Sequence, residues 1–168
     1  MWFCIERGFF MSKTQKLVYT GLLVAITVVL ARFLSIKTDL VRMSFEFFSI
    51  AVASALMGPI LGGVTAVLAD IIGGILFPHG AFFPGFTFSA FLTGIIYGLF
   101  LYKQKITWTR AFFAAFVKTT VVDLVLVTIW LLILYQMPLE ALLAERLIKY
   151  VIILPLETLI LYVAIRPL

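Results

Sequence analysis

The sequence predicts an all-α integral membrane protein, with six transmembrane helices in a single bundle. Three observations predict it. Of 168 residues, 64% are hydrophobic and only 12% are charged, where an average soluble domain has about 25% charged residues. Mean hydropathy is +1.18, so most of the chain is built to be solvated by lipid or by itself. The apolar stretches are also of transmembrane length: a helical pass needs roughly 20 apolar residues to cross a hydrocarbon core of about 30 Å. Charges and Gly-Pro pairs divide the chain into several such stretches.

Six spans follow from these dividers, over 15–35, 44–58, 60–77, 85–102, 109–136 and 139–165. Met57-Gly58-Pro59 ends the second and opens the third, because Pro lacks an amide donor and pushes the residue before it out of the helical region. Pro78-His79-Gly80 and Pro84-Gly85 bracket the loop between spans three and four, and Pro138 follows span five. Spans two and three are short for a full crossing, and span five is long enough to tilt. Residues 1–14 stand apart as a flexible tail or an upstream extension, which leaves 15–168 as the bundle domain. The N-terminal stretch has neither the apolar core nor the small-residue cleavage site of a signal peptide, and Met11-Ser12-Lys13 reads as a natural start. Cys4, the single cysteine, permits no internal disulfide and gives no metal cluster.

Lys and Arg in short loops set the orientation. Six spans put both termini on one side, with Arg7, Lys13, Lys16, Lys103, Lys105, Arg110 and Arg166. The opposite side has Arg32, Lys37, Arg42, Arg146 and Lys149. The bias makes both termini cytoplasmic and the protein a multi-pass resident of the cell membrane. Arg32, Lys37 and Arg42 crowd the first external loop, where the charge rule would not put them. A positive mouth attracts an anionic ligand, and snorkelling to lipid phosphates explains the same three residues equally well.

Ionisable residues inside the spans are Glu46, Asp70, Lys118, Asp123 and Glu157. Their burial is costly, so they should face the bundle interior or one another. Lys118 has two candidate partners: Asp123, at a five-residue spacing that suits one α-helix poorly, and Asp70 from span three. For Asp70 and Asp123 a structural polar network is the plainer reading and ligand contact the sharper one. Glu46 and Glu157 are expected nearer the span ends, with less weight. Small residues recur every four positions at Gly62, Ala66, Asp70 and Gly74, at Ala90, Gly94 and Gly98, and at Gly21 and Ala25. Each set shares one helical face and lets membrane helices approach closely.

No G-x-x-x-x-G-K-[ST] phosphate loop and no G-x-S-x-G elbow occurs. The single histidine, His79, excludes an H-E-x-x-H metal site. Neither a catalytic set, a metal site, a cofactor site nor a nucleic-acid surface is expected, although two intramembrane aspartates keep a membrane enzyme or a purely structural bundle as alternatives. Uphill movement of a solute would need energy from a partner.

From Arg42 to Gly98 the chain reads RMSFEFFSIAVASALMGPILGGVTAVLADIIGGILFPHGAFFPGFTFSAFLTGIIYG. This third of the sequence closely resembles the folate-family substrate-binding subunit, or S component, of energy-coupling factor transporters. The motifs are R-x-S-F-x-F at 42–47, G-P-x-x-G-G with the following Asp70, and P-x-G-x-F-F-P-G-F-T at 78–87. The resemblance implies six helices with both termini inside, and a vitamin bound near the external face under the loops joining helices one to two, three to four and five to six. It also implies a transmembrane coupling protein and two ATPase subunits as partners, and a subunit that topples in the bilayer to release its ligand. An A-x-x-x-A docking patch on the first helix is matched here by Gly21 and Ala25, a small-residue variant.

Under this resemblance Pro78, Gly80, Phe82, Pro84 and Gly85 belong to a lid loop, its glycines giving the backbone freedom to fold over a ligand. Irregular backbone at that depth is tolerated where it is buried in protein or lines a cavity. The expected ligand set is Arg32, Phe33, Arg42, Ser44, His79, Phe83 and Thr87, with Lys118 and Asp123 behind them. Phe82, Phe83 and Phe86 offer flat faces to a pteridine ring, against a background of 17 Phe that mostly pack in lipid or core. A carboxylate, or a hydroxyl such as Thr87 or Ser89, reads the pterin edge, and Arg32 with Arg42 clamps the two carboxylates of folate as charge-assisted forks. Other vitamins, thiamine, riboflavin, biotin or pantothenate, fit the same scaffold, but a cationic mouth suits cationic thiamine poorly.

Overall fold

The computed structural model describes residues 12–32, 36–37, 42–43, 45–77, 83–135 and 139–165. Helix α1 (Lys13–Arg32) starts at a capping box: the Ser12 amide donates to the Gln15 side chain and the Gln15 amide donates to Ser12 Oγ. This satisfies two of the amides that a helix start leaves unpaired. One face of α1, with Leu23, Val24, Thr27 and Val28, is buried, while Leu17, Val18, Leu22, Ile26 and Val29 are exposed. A helix apolar all round but buried on one side is built for a bundle in lipid.

The link from α1 to α2 carries a short antiparallel ladder, β1 (Ile36–Lys37) and β2 (Arg42–Met43), in register Ile36 to Met43 and Lys37 to Arg42. Helix α2 (Glu46–Met57) follows, with Glu46 in its first turn as expected for a span end. Gly58, at φ +93°, turns the chain directly into α3 (Pro59–Leu76). That backbone region costs glycine little, and Pro59 at the first helical position lacks an amide that would have no partner there. Helix α4 (Pro84–Leu101) starts the same way on Pro84. Next comes one continuous rod: α5 (Trp108–Lys118), a π-helical segment (Thr119–Leu126) and α6 (Val127–Tyr135). Thr107 caps the rod by accepting from the Arg110 amide. The last helix is α7 (Leu139–Ile165), with Pro155 inside it.

Among the described residues the chain thus forms six rods. Four segments are long and apolar enough to cross a membrane: Lys13–Ala31, Pro59–Leu76, Pro84–Leu101 and Trp108–Leu134. At 12 residues, α2 is shorter than its expected span; it extends about 18 Å at 1.5 Å per residue.

One end of the bundle holds the start of α1 and the end of α7, and it is close-packed. A methyl group built on Gly94 would fall on the backbone of Gly62 and Gly63, and one on Gly98 would fall on Pro59. The expected small faces of α3 and α4 therefore meet each other. In lipid, without a hydrophobic drive between helices, such close approach and interhelical hydrogen bonds hold the pair, and Ser54 Oγ donates to the Gly94 carbonyl at 2.9 Å. Around Tyr97 and Leu101 the core is filled by Ala51, Ala111, Ala114, Ala115, Leu161 and Ile165. The small face of α1 behaves differently: Gly21 and Ala25 are exposed, and Gly21 has no atom within 4 Å of the place a methyl would take.

Candidate ligand-binding site

Polar side chains gather midway along the bundle and toward its opposite end, here the loop end. Lys118 is the centre. Its ammonium lies 2.9 Å from Asp123 Oδ2 and 3.2 Å from Glu157 Oε2, and 5.9 Å from the centroid of the Phe47 ring, within cation–π range. The Tyr97 hydroxyl donates to the other oxygen of Glu157. Tyr97 and Glu157 are fully buried and Lys118 is 8% exposed. The network thus ties α2, α4, α5, the π segment and α7 together around one cation and two carboxylates.

The π segment explains the pairing of Lys118 with Asp123. At 100° per residue, two positions five apart on an α-helix point about 140° away from each other. In a π-helix each amide reaches back five residues, so such positions stack on one side. The segment begins at Thr119, directly after Lys118. Two expectations are corrected here. Glu157 lies in the deepest part of the bundle rather than near a span end, because it answers Lys118 and Tyr97. Lys118 does not meet Asp70, which instead accepts from Thr87 Oγ1 at 2.7 Å.

That Thr87–Asp70 bond belongs to a second group at the loop end of α3, α4 and α6. Phe83, the residue before Pro84, sets its ring 6.0 Å from Phe86, edge-on, and 5.6 Å from Trp130. Trp130 Nε1 donates to Ser89 Oγ at 3.0 Å. Pro84 and Gly85, expected in the covering loop, form the first turn of α4. A methyl on Gly85 would overlap the rings of Phe83 and Trp130, so glycine is there for close approach rather than for backbone freedom. Thr87 gives its proton to Asp70, which leaves its oxygen as an acceptor.

Between the π segment and α7 lies a cleft lined by Thr119, Asp123, Leu124, Arg146, Lys149, Tyr150 and Ile153. The hydroxyl of Tyr150, one of these lining residues, is 3.1 Å from that of Thr120. Asp123 belongs both to this cleft and to the Lys118 network.

Of the residues expected to bind ligand, the structure brings Phe83 and Thr87 together at the loop end and Lys118 and Asp123 together at mid-depth. Arg32 is the last residue of α1, and Arg42 stands in β2 opposite Lys37. Phe33, Ser44, Pro78, His79, Gly80 and Phe82 lie outside the described residues. Sequence reasoning did not single out Trp130, Tyr97, Tyr150, Arg146 or Lys149 as site residues. The available signal was chemical: a Trp or Tyr inside a bundle needs a partner for its N–H or O–H. Among the described residues no group of three or more His, Cys, Asp and Glu could hold a metal ion.

A helical bundle with four segments long and apolar enough to cross a bilayer, and with charged groups paired in its interior, defines a polytopic membrane protein of the transporter class. The family model for the substrate-specific component of ECF transporters matches residues 15–165, and the chain belongs to that family. Among curated relatives, the folate transporter FolT of Clostridium novyi (strain NT) is 37% identical over 152 residues, which cover 90% of this chain and 88% of that protein. FolT of Leuconostoc mesenteroides subsp. mesenteroides is 31% identical over 150 residues, covering 86% and 80%. A crystal structure of FolT bound with folic acid has a similar fold, with a TM-score of 0.84 at 36% identity over 89% of this chain and 91% of that one.

Proposed function

We propose that this chain is the folate-capturing S component of an ECF transporter. It binds folate at the external face and has no catalysis of its own. The observation that carries this reading is the likeness, over nearly the whole chain, to folate transporters and to a FolT structure holding folic acid. In this reading the six rods, α2 and α7 included, are six membrane passes of one domain, whose first helix begins at Lys13 rather than at residue 15. Both termini are cytoplasmic, the membrane is the plasma membrane, and the loop end is external.

The site residues take roles in order of depth. Arg32 and Arg42 at the mouth clamp the glutamate carboxylates, aided by Phe33 and Ser44 from the same loop. The loop with Pro78, His79, Gly80 and Phe82 covers the ligand, anchored on the α4 start at Pro84 and Gly85. Phe83 supplies an aromatic wall, Thr87 an acceptor, and the Lys118–Asp123 pair the polar floor. Energy comes from a transmembrane coupling protein and two ATPase subunits. The exposed Gly21–Ala25 face of α1 is where the coupling protein docks.

The test is to identify what travels with the protein. Full-length chain solubilised in detergent and purified without added vitamin should release a folate on denaturation, seen by mass spectrometry at near-stoichiometric amount. Release of thiamine, riboflavin, biotin or pantothenate instead would keep the scaffold and discard the ligand.

A further inference from the structure

Where α4 turns into α5, at the packed end of the bundle, three cations stand together without an anion. Lys103, Lys105 and Arg110 are exposed, and none makes an ion pair with a described residue. The first turns of α1, α3 and α5, all at this end, hold no acidic residue. The described carboxylates belong to the mid-depth network or to the loop-end halves of their helices.

The charge rule accounts for cations on this side of the bundle, but not for how these are held. Arg110 stands in the first turn of α5, where the helix dipole favours an anion and disfavours a cation. Lys103 has a left-handed backbone, φ +53°, which a lysine seldom adopts. Its ammonium lies 5.2 Å from the centroid of the Tyr102 ring, within cation–π range. That ring covers the α2–α3 turn, 3.5 Å from the place a methyl on Gly58 would take. Lys103 is thus seated on the protein rather than spread into water. Beside it Trp108 is 50% exposed, its ring edge-on to Tyr162 with centroids 5.2 Å apart. A Trp and a Tyr at the ends of spans mark the depth of the lipid headgroups, so the positive charge lies at the level of the lipid phosphates. One turn further along α5, Phe112 and Phe113 are exposed toward the apolar side.

We infer that this turn is the docking site of one anionic phospholipid. Lys103, Lys105 and Arg110 hold its phosphate, Trp108 packs on its glycerol, and its chains run along Phe112 and Phe113. All three cations offer only donors, and Arg matches phosphate with a planar fork. A zwitterionic lipid suits the site poorly, because its own ammonium competes with the three cations. Basic sites of this kind beside membrane helices take anionic headgroups. The site needs only that the chain spans a bilayer. That the lipid comes from the inner leaflet rests on the orientation above, in which this end is cytoplasmic.

The test uses full-length protein purified in a neutral detergent, with dioleoyl phosphatidylglycerol, dioleoyl phosphatidylcholine and soluble glycerol 3-phosphate as probes. Native mass spectrometry counts bound lipid, and thermal unfolding reads its effect on stability. Wild-type protein should retain one phosphatidylglycerol per chain and unfold at a higher temperature with it, and should do neither with phosphatidylcholine. The combined change Lys103→Gln, Lys105→Gln and Arg110→Gln should weaken phosphatidylglycerol binding about 100-fold, since each cation beside an anionic headgroup contributes roughly fivefold. Folate titration of that variant should match wild type, because the candidate ligand site lies toward the other end. If the triple variant does not fold, Arg110→Gln alone should show a loss of about fivefold. Lys13→Gln with Lys16→Gln, on α1 at the same end, should leave retention as in wild type. An equal loss from the α1 pair would mean diffuse surface charge and would overturn the site. Displacement of the lipid by an equal concentration of glycerol 3-phosphate would make it a site for free phosphate. Unchanged phosphatidylglycerol binding by the triple variant would also overturn the assignment, and loss of co-purification with the coupling protein in that case would make the patch a protein interface.

Discussion

At the end of the bundle where α1 begins, α3 and α4 touch backbone to backbone at Gly62, Gly63 and Gly94, and Ala111, Ala114 and Ala115 seal α5 against its neighbours. Toward the loop end the contacts are made by rings and polar groups: Phe83, Trp130, Thr87 with Asp70, and further in Asp123 and Lys149. The Lys118 network lies between the two regions and joins Lys118 to Asp123 and Glu157, and Glu157 to Tyr97. Small residues let backbones meet in one region, while rings and paired polar side chains fill the other. In lipid both strategies are available because helices associate through packing and hydrogen bonds rather than through escape from water.

Substitutions should separate the regions by their effects. The largest effect is expected at the boundary. Lys118→Met leaves Glu157 and Asp123 as buried carboxylates without their cation, which should destabilise the fold by about 3–5 kcal/mol. Thermal unfolding in detergent measures this, and the double change Lys118→Met with Glu157→Gln should recover part of the loss. Next, Gly94→Val at the packed end should cost about 1–3 kcal/mol as an overpacked contact, and lower ligand affinity only in proportion to the unfolded fraction. At the loop end, Trp130→Phe keeps the ring against Phe83 but removes the donor to Ser89, a loss of about 1 kcal/mol. Its effect on ligand affinity should exceed that of Gly94→Val, and the reverse order would undo the contrast between the two ends. Smallest in stability is Gly21→Leu, on an open face, within about 0.5 kcal/mol of wild type. It should nevertheless block assembly with the coupling protein, as read by co-purification of the complex.

Much of this architecture was legible in the chain. Composition gave a membrane protein, and the breaks at Gly58-Pro59 and Pro84 mark helix starts because Pro acts locally. The small faces of α3 and α4 were readable for the same reason, since a four-residue spacing fixes a face. The Lys118–Asp123 pair was half legible. Both residues stood out, but an α-helical rule put them on different sides, and a π segment is not written in local propensity. Glu157 was given too little weight because its position along the span was judged without knowing that Tyr97 and Lys118 arrive from other helices. Arg146 and Lys149 passed as ordinary loop-side cations; only the packing of α7 against the π segment brings them to a cleft.

The most direct measurement is an equilibrium titration of purified, ligand-stripped protein with folate, followed by quenching of Trp fluorescence, with thiamine and riboflavin run in parallel. Saturable binding of folate alone, at one site per chain, is the result expected of a folate-capturing S component. Binding of thiamine or riboflavin with no response to folate would contradict it.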